Sequence, residues 1–295
     1  MYTIVAASQK GGSGKTTLSG HLAVEACRAG AGAVALIDTD PQGSLAAWWN
    51  ARSAQTPHFV KVGSLDLRQA LAQLQRSGFQ IAIIDTPPAI TQSISHVVAH
   101  ADLVIVPTRP SPHDLRAVGA TVDIAERFGK PLVFVVNAAT ARARITGESA
   151  VALSQHGTVA PVIVHHRVDF AASMIDGRTV GEILPNSASA REISDLWHYL
   201  QSKLSRVVQD PSLMPAITPE HMALRPLLAE ADEDSEGLGD PDMPPIIPKL
   251  HGSQERRAGA DRRVADLGPP AGGIQRRVHV FGRRRSDLVL GGGGK

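Results

Sequence analysis

A cluster of glycines, lysines and threonines near the start of the chain has the composition of a phosphate-binding loop. Glycines let backbone N–H groups point at phosphate oxygens, and a following helix adds the partial positive charge of its N-terminus. In such a loop Lys15 would neutralise the outer phosphates, and the Thr16 hydroxyl could ligate Mg²⁺. The run therefore predicts a site for a nucleoside triphosphate with Mg²⁺. It reads Gln9-Lys10-Gly11-Gly12-Ser13-Gly14-Lys15-Thr16-Thr17.

Three aspartates stand where buried strands are expected to end. Asp38 and Asp40 follow the apolar run that ends at Ile37, and Asp85 follows the run that ends at Ile84. A carboxylate in this position beside a phosphate loop can orient the water shell of Mg²⁺. Any one of the three, taken alone, is equally well explained as a helix cap or a turn former. Because three occur at successive strand ends, the pattern favours a nucleotide site.

Short apolar runs alternate with stretches of helical periodicity, and this alternation predicts the elements that hold those side chains. The apolar runs are rich in Val, Ile and Ala, as strands covered on both faces are. We therefore expect an α/β fold with a mostly parallel, twisted sheet and helices on both faces. Ligands of such sheets bind at the carboxyl ends of the strands. The predicted strands are 3–7, 33–37, 80–84, 103–106, 132–136 and 159–164, and the predicted helices include 15–29, 67–77, 93–100, 112–127 and 189–207.

The glycine-rich run, with its additional Lys10, resembles the deviant Walker A motif of the ParA/MinD family of partition and positioning ATPases. The segment that begins at Asp38 resembles the switch I region of this family, and the one that begins at Asp85 resembles its Walker B and switch II region. Residues 166–182 are similar to the family's C-terminal region. The resemblance therefore extends over residues 1–208, and it is to the short members that lack an N-terminal helix-turn-helix domain.

The resemblance implies roles for individual residues. Asp40 matches the aspartate that positions or activates the attacking water. Asn137 matches an asparagine whose amide reads the adenine edge, since an amide offers both a donor and an acceptor. The implied catalytic residues are Lys10, Lys15 and Asp40, and the implied Mg²⁺ contacts are Thr16 directly and Asp38 and Asp85 through water.

The function implied by the resemblance is that of an ATPase which forms a homodimer with ATP and positions or segregates a cargo. The matrix for this movement would be non-specific double-stranded DNA, so we expect a cytoplasmic, nucleoid-associated protein. Hydrolysis to ADP and phosphate would be slow until an activating or cargo-adaptor protein binds. The cargo itself, whether a DNA molecule or a protein cluster, is left open.

Three other classes of protein share such a glycine-rich loop. A MinD-like, membrane-associated positioning ATPase would end in an amphipathic helix, and the closing residues 283–295 give no helical apolar stripe. A membrane partner is therefore not expected. A metabolic P-loop ligase that uses ATP would share the loop, but it would have no use for Lys10. This lysine adds nothing to a monomeric phosphate cradle, whereas in a dimer it can reach the partner's nucleotide across a two-fold axis. The single cysteine, Cys27, argues against an iron–sulfur relative that needs two cluster ligands in each subunit.

Composition predicts one globular domain followed by a tail. The 295 residues are 43% hydrophobic, and the longest apolar runs are of strand length. We place the domain boundary near Val208, since residues 209–295 contain 10 Pro and 12 Gly, a composition typical of disorder. Residues 229–245 carry seven acidic side chains and no Lys or Arg. From Lys249 onward the sequence contains 11 basic residues and 4 acidic ones.

Basic residues near the end of the predicted domain are candidates for DNA contacts, because backbone phosphates require positive charge and no base-reading geometry. Each of them alone could instead be a solvated charge or part of a local salt bridge. Arginine pairs in the tail could bind DNA, anionic lipid or an acidic protein, or have no dedicated partner. The candidates in the domain are Arg167, Arg178, Arg191, Lys203 and Arg206.

Overall fold

A computed structural model describes residues 1–62, 66–88 and 92–209 of the chain. The predicted tail, apart from its first residue, lies outside the described residues, and so do its acidic segment and its arginine pairs. Among the helices that are described, none is long and apolar enough to cross a membrane.

Seven parallel strands form one sheet in the described part of the chain. The order across the sheet is β3-β2-β4-β1-β5-β6-β7, so the first strand lies at the centre. The chain moves to one side of β1 first and to the other side later, which opens a crevice at the carboxyl end of β1. The strands are β1 Tyr2–Ala6, β2 Val34–Asp38, β3 His58–Lys61, β4 Ile81–Asp85, β5 Leu103–Thr108, β6 Leu132–Val136 and β7 Thr158–Val159.

Helices cover both faces of the sheet, so that each face has its own apolar core. One core contains the buried stripe of the last helix, including Trp197 and Leu200, packed against Leu18 and Leu22. The other core contains Phe134 of β6 and Ile84 of β4. The expected α/β class is therefore confirmed. The helices are α1 Lys15–Arg28, α2 Ser44–Ala51, α3 Leu67–Arg76, α4 Gln92–Ala99, α5 Pro112–Arg116, α6 Gly119–Arg127, α7 Arg144–Ser154, α8 Val168–Met174, α9 Val180–Ile183 and α10 Ala188–Gln209.

Two predicted elements differ from the structure, and one short strand was not predicted. The strand expected at 159–164 is wrong beyond Val159, because Pro161 has no N–H to give to the ladder. The helix expected at 112–127 is divided into α5 and α6 by a turn just before Gly119, a residue that favours helix poorly. The four-residue edge strand β3 was not predicted, since so short a run gives little periodicity.

Candidate functional site

The glycine-rich run connects β1 to α1, as its spacing predicts. Gly14 is the N-cap residue of α1 and has a φ of +98°, in the left-handed region that favours glycine. A Cβ atom at Gly14 would overlap Nδ2 of Asn137, so any side chain there would force Asn137 out of its position. Gly12 also has a positive φ, +74°. The loop therefore depends on glycine at these two positions.

Lys15 is buried at the first turn of α1, with its amine folded back over the loop. Its Nζ donates to the carbonyl oxygen of Ser8 at 3.0 Å. Burial lowers the pKa of Lys15, while the nearby carboxylates of Asp85 and Asp40 act in the opposite direction. The amine is thus held among backbone carbonyls and carboxylates in the centre of the loop.

Asp38 and Asp85 are register partners on the neighbouring strands β2 and β4, and both are almost fully buried. Asp85 accepts a hydrogen bond from the Thr16 hydroxyl at 2.6 Å. Burial raises the pKa of Asp85 to about 7, and the charge of Asp38 adds to this, although the Thr16 hydrogen bond opposes it. Burial also raises the pKa of Asp38. Two adjacent buried carboxyl groups repel each other when both are ionised, and a bound cation would favour their charged forms.

Asp38 and Asp40 hold the loop between β2 and α2. The carboxylate of Asp38 accepts from the backbone N–H groups of Asp40 (2.9 Å) and Ala46 (3.0 Å). The carboxylate of Asp40 accepts from the N–H of Gln42 at 2.9 Å. Because the bond to Ala46 lies at the start of α2, Asp38 fixes the direction in which this helix leaves the site.

A cavity of about 380 Å³ opens over the loop at the carboxyl edge of the sheet. Asp40 and Thr16 line it directly, whereas Asp38 and Asp85 lie in the layer behind. This arrangement fits a direct Mg²⁺ contact from Thr16 and contacts through water from the two deeper carboxylates. The lining residues are Gly11, Gly12, Gly14, Lys15, Thr16, Thr17, Asp40, Ser44, Thr86, Pro88 and Arg109.

The donor set of this cavity suits Mg²⁺ bound together with phosphates. Its candidate ligands are all oxygens, which Mg²⁺ prefers. Within the described ranges, no group of three or more His, Cys, Asp or Glu side chains could hold a metal unaided. A bound Mg²⁺ would therefore depend on the Thr16 hydroxyl and on nucleotide phosphates, which is the usual arrangement in a phosphate loop.

Sequence reasoning missed Arg109, which follows β5 directly. A Cβ atom at Gly12 would lie 3.7 Å from Nη2 of Arg109, so this guanidinium lies over the glycine-rich loop. Only the position of Arg109 after β5 could have indicated its role, because β5 is the neighbour of β1 and ends at the same edge of the sheet. Ser44, Thr86 and Pro88 also line the cavity, and they lie in the segments beginning at Asp38 and Asp85 that resemble the switch regions, although no site role was assigned to them individually.

Asn137 follows β6 and is buried against the loop, where its Nδ2 donates to the carbonyl oxygen of Ser13 at 2.7 Å. The structure thus brings Asn137 to the same site as Lys15. Lys10 is exposed at the mouth of the loop. The predicted nucleotide-site residues therefore converge on one edge of the sheet.

The five candidate DNA residues differ in their surroundings. Arg167 is held by both carboxylate oxygens of Glu192, at 2.6 and 2.8 Å. Arg178 pairs with Asp176, and Arg191 donates to the carbonyl oxygen of Asn186 at 2.8 Å. By contrast, Lys203 and Arg206, near the end of α10, line a second cavity. The described contacts therefore leave these last two best placed for a polyanion.

Comparisons with known proteins agree with this geometry. The sequence profile of the CobQ/CobB/MinD/ParA nucleotide binding domain matches residues 4–195. The chain is 27% identical over 207 residues to the maintenance of carboxysome distribution protein A of Halothiobacillus neapolitanus, covering 65% of this chain and 92% of that protein. Two solved structures are similar to the chain: an ATP complex of a McdA variant of Cyanothece, 17% identical, and the septum site-determining protein MinD of Pyrococcus horikoshii with Mg-ADP, 14% identical. For each of them the TM-score is 0.57, and the similarity covers 68% of this chain and 96% of the other.

Proposed function

Because the chain belongs to the CobQ/CobB/MinD/ParA nucleotide-binding family, we propose that it is an ATPase that dimerises with ATP and positions a cargo on a DNA matrix. The observation that carries the proposal is the cavity over the glycine-rich loop, where Lys15, Thr16 and Asp40 meet. A phosphate cradle, a Mg²⁺ ligand and a carboxylate for the attacking water are the parts that ATP hydrolysis needs.

Each part of the site has a separate task in this proposal. The backbone N–H groups of the loop and the Lys15 ammonium bind the phosphates, with Thr16 and, through water, Asp38 and Asp85 holding Mg²⁺. When bound, Mg²⁺ neutralises the charge that develops on the phosphate oxygens. Asp40 lines the cavity and orients the attacking water as an acceptor.

Dimerisation is proposed from the position of Lys10. This lysine is exposed beside the cavity, and its own carbonyl oxygen lies 3.5 Å from the Lys15 amine. Its side chain is thus free to cross a two-fold axis and contact the nucleotide of a second subunit, face to face. A metabolic ligase that acts as a monomer has no use for such a lysine.

The relatives support the proposed class of cargo, and the surface charge supports the proposed matrix. A relative that resembles this chain over 92% of its own length is named for the distribution of carboxysomes, which supports a protein assembly as the class of cargo. Lys203 and Arg206 are proposed to contribute to non-specific contacts with DNA phosphates. An adaptor protein would link the ATPase to the cargo and stimulate hydrolysis.

Light scattering with ATP tests the dimer. We expect the wild-type protein to change from monomer to dimer when ATP and Mg²⁺ are added, and the Lys10→Ala variant to bind ATP but remain monomeric. Arg76→Ala removes an exposed cation in the last turn of α3, outside the cavity, and should behave as wild type. A wild-type protein that stays monomeric while hydrolysis is blocked would contradict the proposal.

Co-sedimentation tests the matrix. With ATP, the full-length protein should bind random-sequence double-stranded DNA at low salt, and the logarithm of its affinity should fall by about 0.9 per neutralised phosphate for each unit of log salt. Sedimentation with anionic liposomes in place of DNA would overturn the DNA matrix and favour the membrane-associated alternative.

A further inference from the structure

A second cavity, of about 410 Å³, lies at the opposite edge of the sheet from the nucleotide site. It is bounded by the first residues of three strands, Leu103 of β5, Leu132 of β6 and Thr158 of β7. The strands are parallel, so their amino ends share the edge away from the glycine-rich loop. The cavity therefore has no part in binding the nucleotide.

The floor of this cavity is apolar and its rim is basic. Leu103, Val122 and Val133 are buried beneath it. Lys130, Lys203 and Arg206 stand around it, and Glu126 is the one acidic side chain among the residues that line it. Three cationic side chains around an apolar floor match an anionic ligand that also carries apolar groups.

The chain itself contains a segment of that chemistry. Residues 229–245 hold seven carboxylates with no Lys or Arg, and Leu238 and Met243 lie among them. Arg206 of the rim is three residues from Gln209, where α10 ends. The 19 residues 210–228 join this point to the acidic segment, and they cannot span more than about 65 Å even when fully extended. The segment is thus tethered within reach of the cavity.

We infer that residues 229–245 of the same chain dock in this basic cavity. Tethering by a short linker gives an effective concentration of about 1 mM, so a local dissociation constant of about 0.3 mM would leave the cavity about three-quarters filled. The docked segment covers Lys203 and Arg206. It therefore competes with DNA for these residues, and this last consequence rests on the proposed function.

Carbodiimide cross-linking of the full-length protein tests the docking directly, because the reagent joins a lysine amine to a carboxylate only when they are in contact. Mass spectrometry should find amide bonds from Lys203 or Lys130 to carboxylates of residues 230–242, within single chains. The docking is overturned if these carboxylates react equally with Lys61 at the other edge of the sheet, or not at all. A mixture of isotopically heavy and light protein detects links between chains, and such links alone would overturn docking within one chain.

Charge reversal provides the matched variants. Arg206→Glu should lower the yield of these cross-links about threefold, since a tenfold weaker local contact leaves the cavity about a quarter filled. Arg76→Glu, on the exposed side of α3 and outside the cavity, should leave the yield unchanged. Equal yields in the two variants would contradict the role of the basic rim.

DNA binding is measured with a variant of the acidic segment that carries three neutral substitutions, Asp232→Asn, Glu233→Gln and Asp234→Asn. With the cavity freed, its affinity for DNA in the ATP state should rise about fourfold over wild type. An unchanged affinity would overturn the competition. If neither protein binds DNA, the proposed matrix fails, while the cross-links still decide whether the segment docks.

Discussion

His21 makes the stability of the folded domain depend on pH, because it is buried in its neutral form. It lies on α1, where its Nδ1–H donates to the carbonyl oxygen of Thr17 at 2.8 Å. Its Nε2 therefore has no proton and accepts from the backbone N–H of Val180 at 3.3 Å. Burial lowers the pKa of His21 from 6.5 to about 4.

The sign and size of the effect follow from this lowered pKa. Between pH 6.5 and pH 4 the unfolded chain binds a proton at His21 and the folded chain does not. The stability is therefore fully present above about pH 6.5 and is lost as the pH falls. Linkage gives a loss of about 2 kcal/mol in the free energy of unfolding between about pH 7.5 and about pH 5.

Urea unfolding of the nucleotide-free protein at these two pH values measures the loss. Asp85, whose pKa is raised, contributes in the opposite direction, so the wild type must be compared with variants that keep Asp85. His21→Gln should lack about 2 kcal/mol of the wild-type pH dependence. His113→Gln, an exposed position on α5, should retain it. If His21→Gln keeps the full dependence, His21 is not buried as a neutral base.

Three further substitutions test the site and the packing behind it. Lys15→Ala should weaken ATP binding about a hundredfold in calorimetry, since charge-assisted bonds to the outer phosphates are lost; unchanged affinity would remove the phosphate-loop assignment. Asp40→Ala should still bind ATP but hydrolyse it at least about a hundredfold more slowly in a phosphate-release assay, and rapid hydrolysis would move the water-positioning role to another group. Arg52→Ala should lower the free energy of unfolding by about 3 kcal/mol in urea, because it leaves the Glu182 carboxylate without its bidentate partner. Arg178→Ala is the control for it, since the pair with Asp176 is solvent-exposed and its loss should not be measurable.

The parts of the site that the sequence could predict are those in which local spacing determines position. The glycine-rich loop is formed by consecutive residues between a strand and a helix, so the local sequence is enough to predict it. Asp38 and Asp85 reach the same edge of the sheet because parallel strands end together. The family resemblance drawn from these residues is confirmed by the profile match over residues 4–195. The roles assigned to Lys10, Asp40 and Asn137 stay predictions.

Long-range contacts explain what the sequence could not predict. Arg109 reaches Gly12 only because β5 lies beside β1, and no local pattern marks that pairing. Arg167 was a candidate for DNA, yet Glu192 holds it from 25 positions away in the chain. Composition reports charge, whereas the fold decides which charges are already paired.

Asn137 connects the loop to the end of β6, which lies two strands away from β1, and its contact is compatible with the predicted reading of adenine. A primary amide has two N–H donors and an oxygen with two acceptor positions. One donor is used on the carbonyl oxygen of Ser13, which leaves the second N–H and the oxygen for a base edge. The same contact explains why Gly14 has no room for a side chain. The end of β6 therefore sets the position of the phosphate loop and, in the proposed function, that of the base, so both ends of the nucleotide would be located by one side chain.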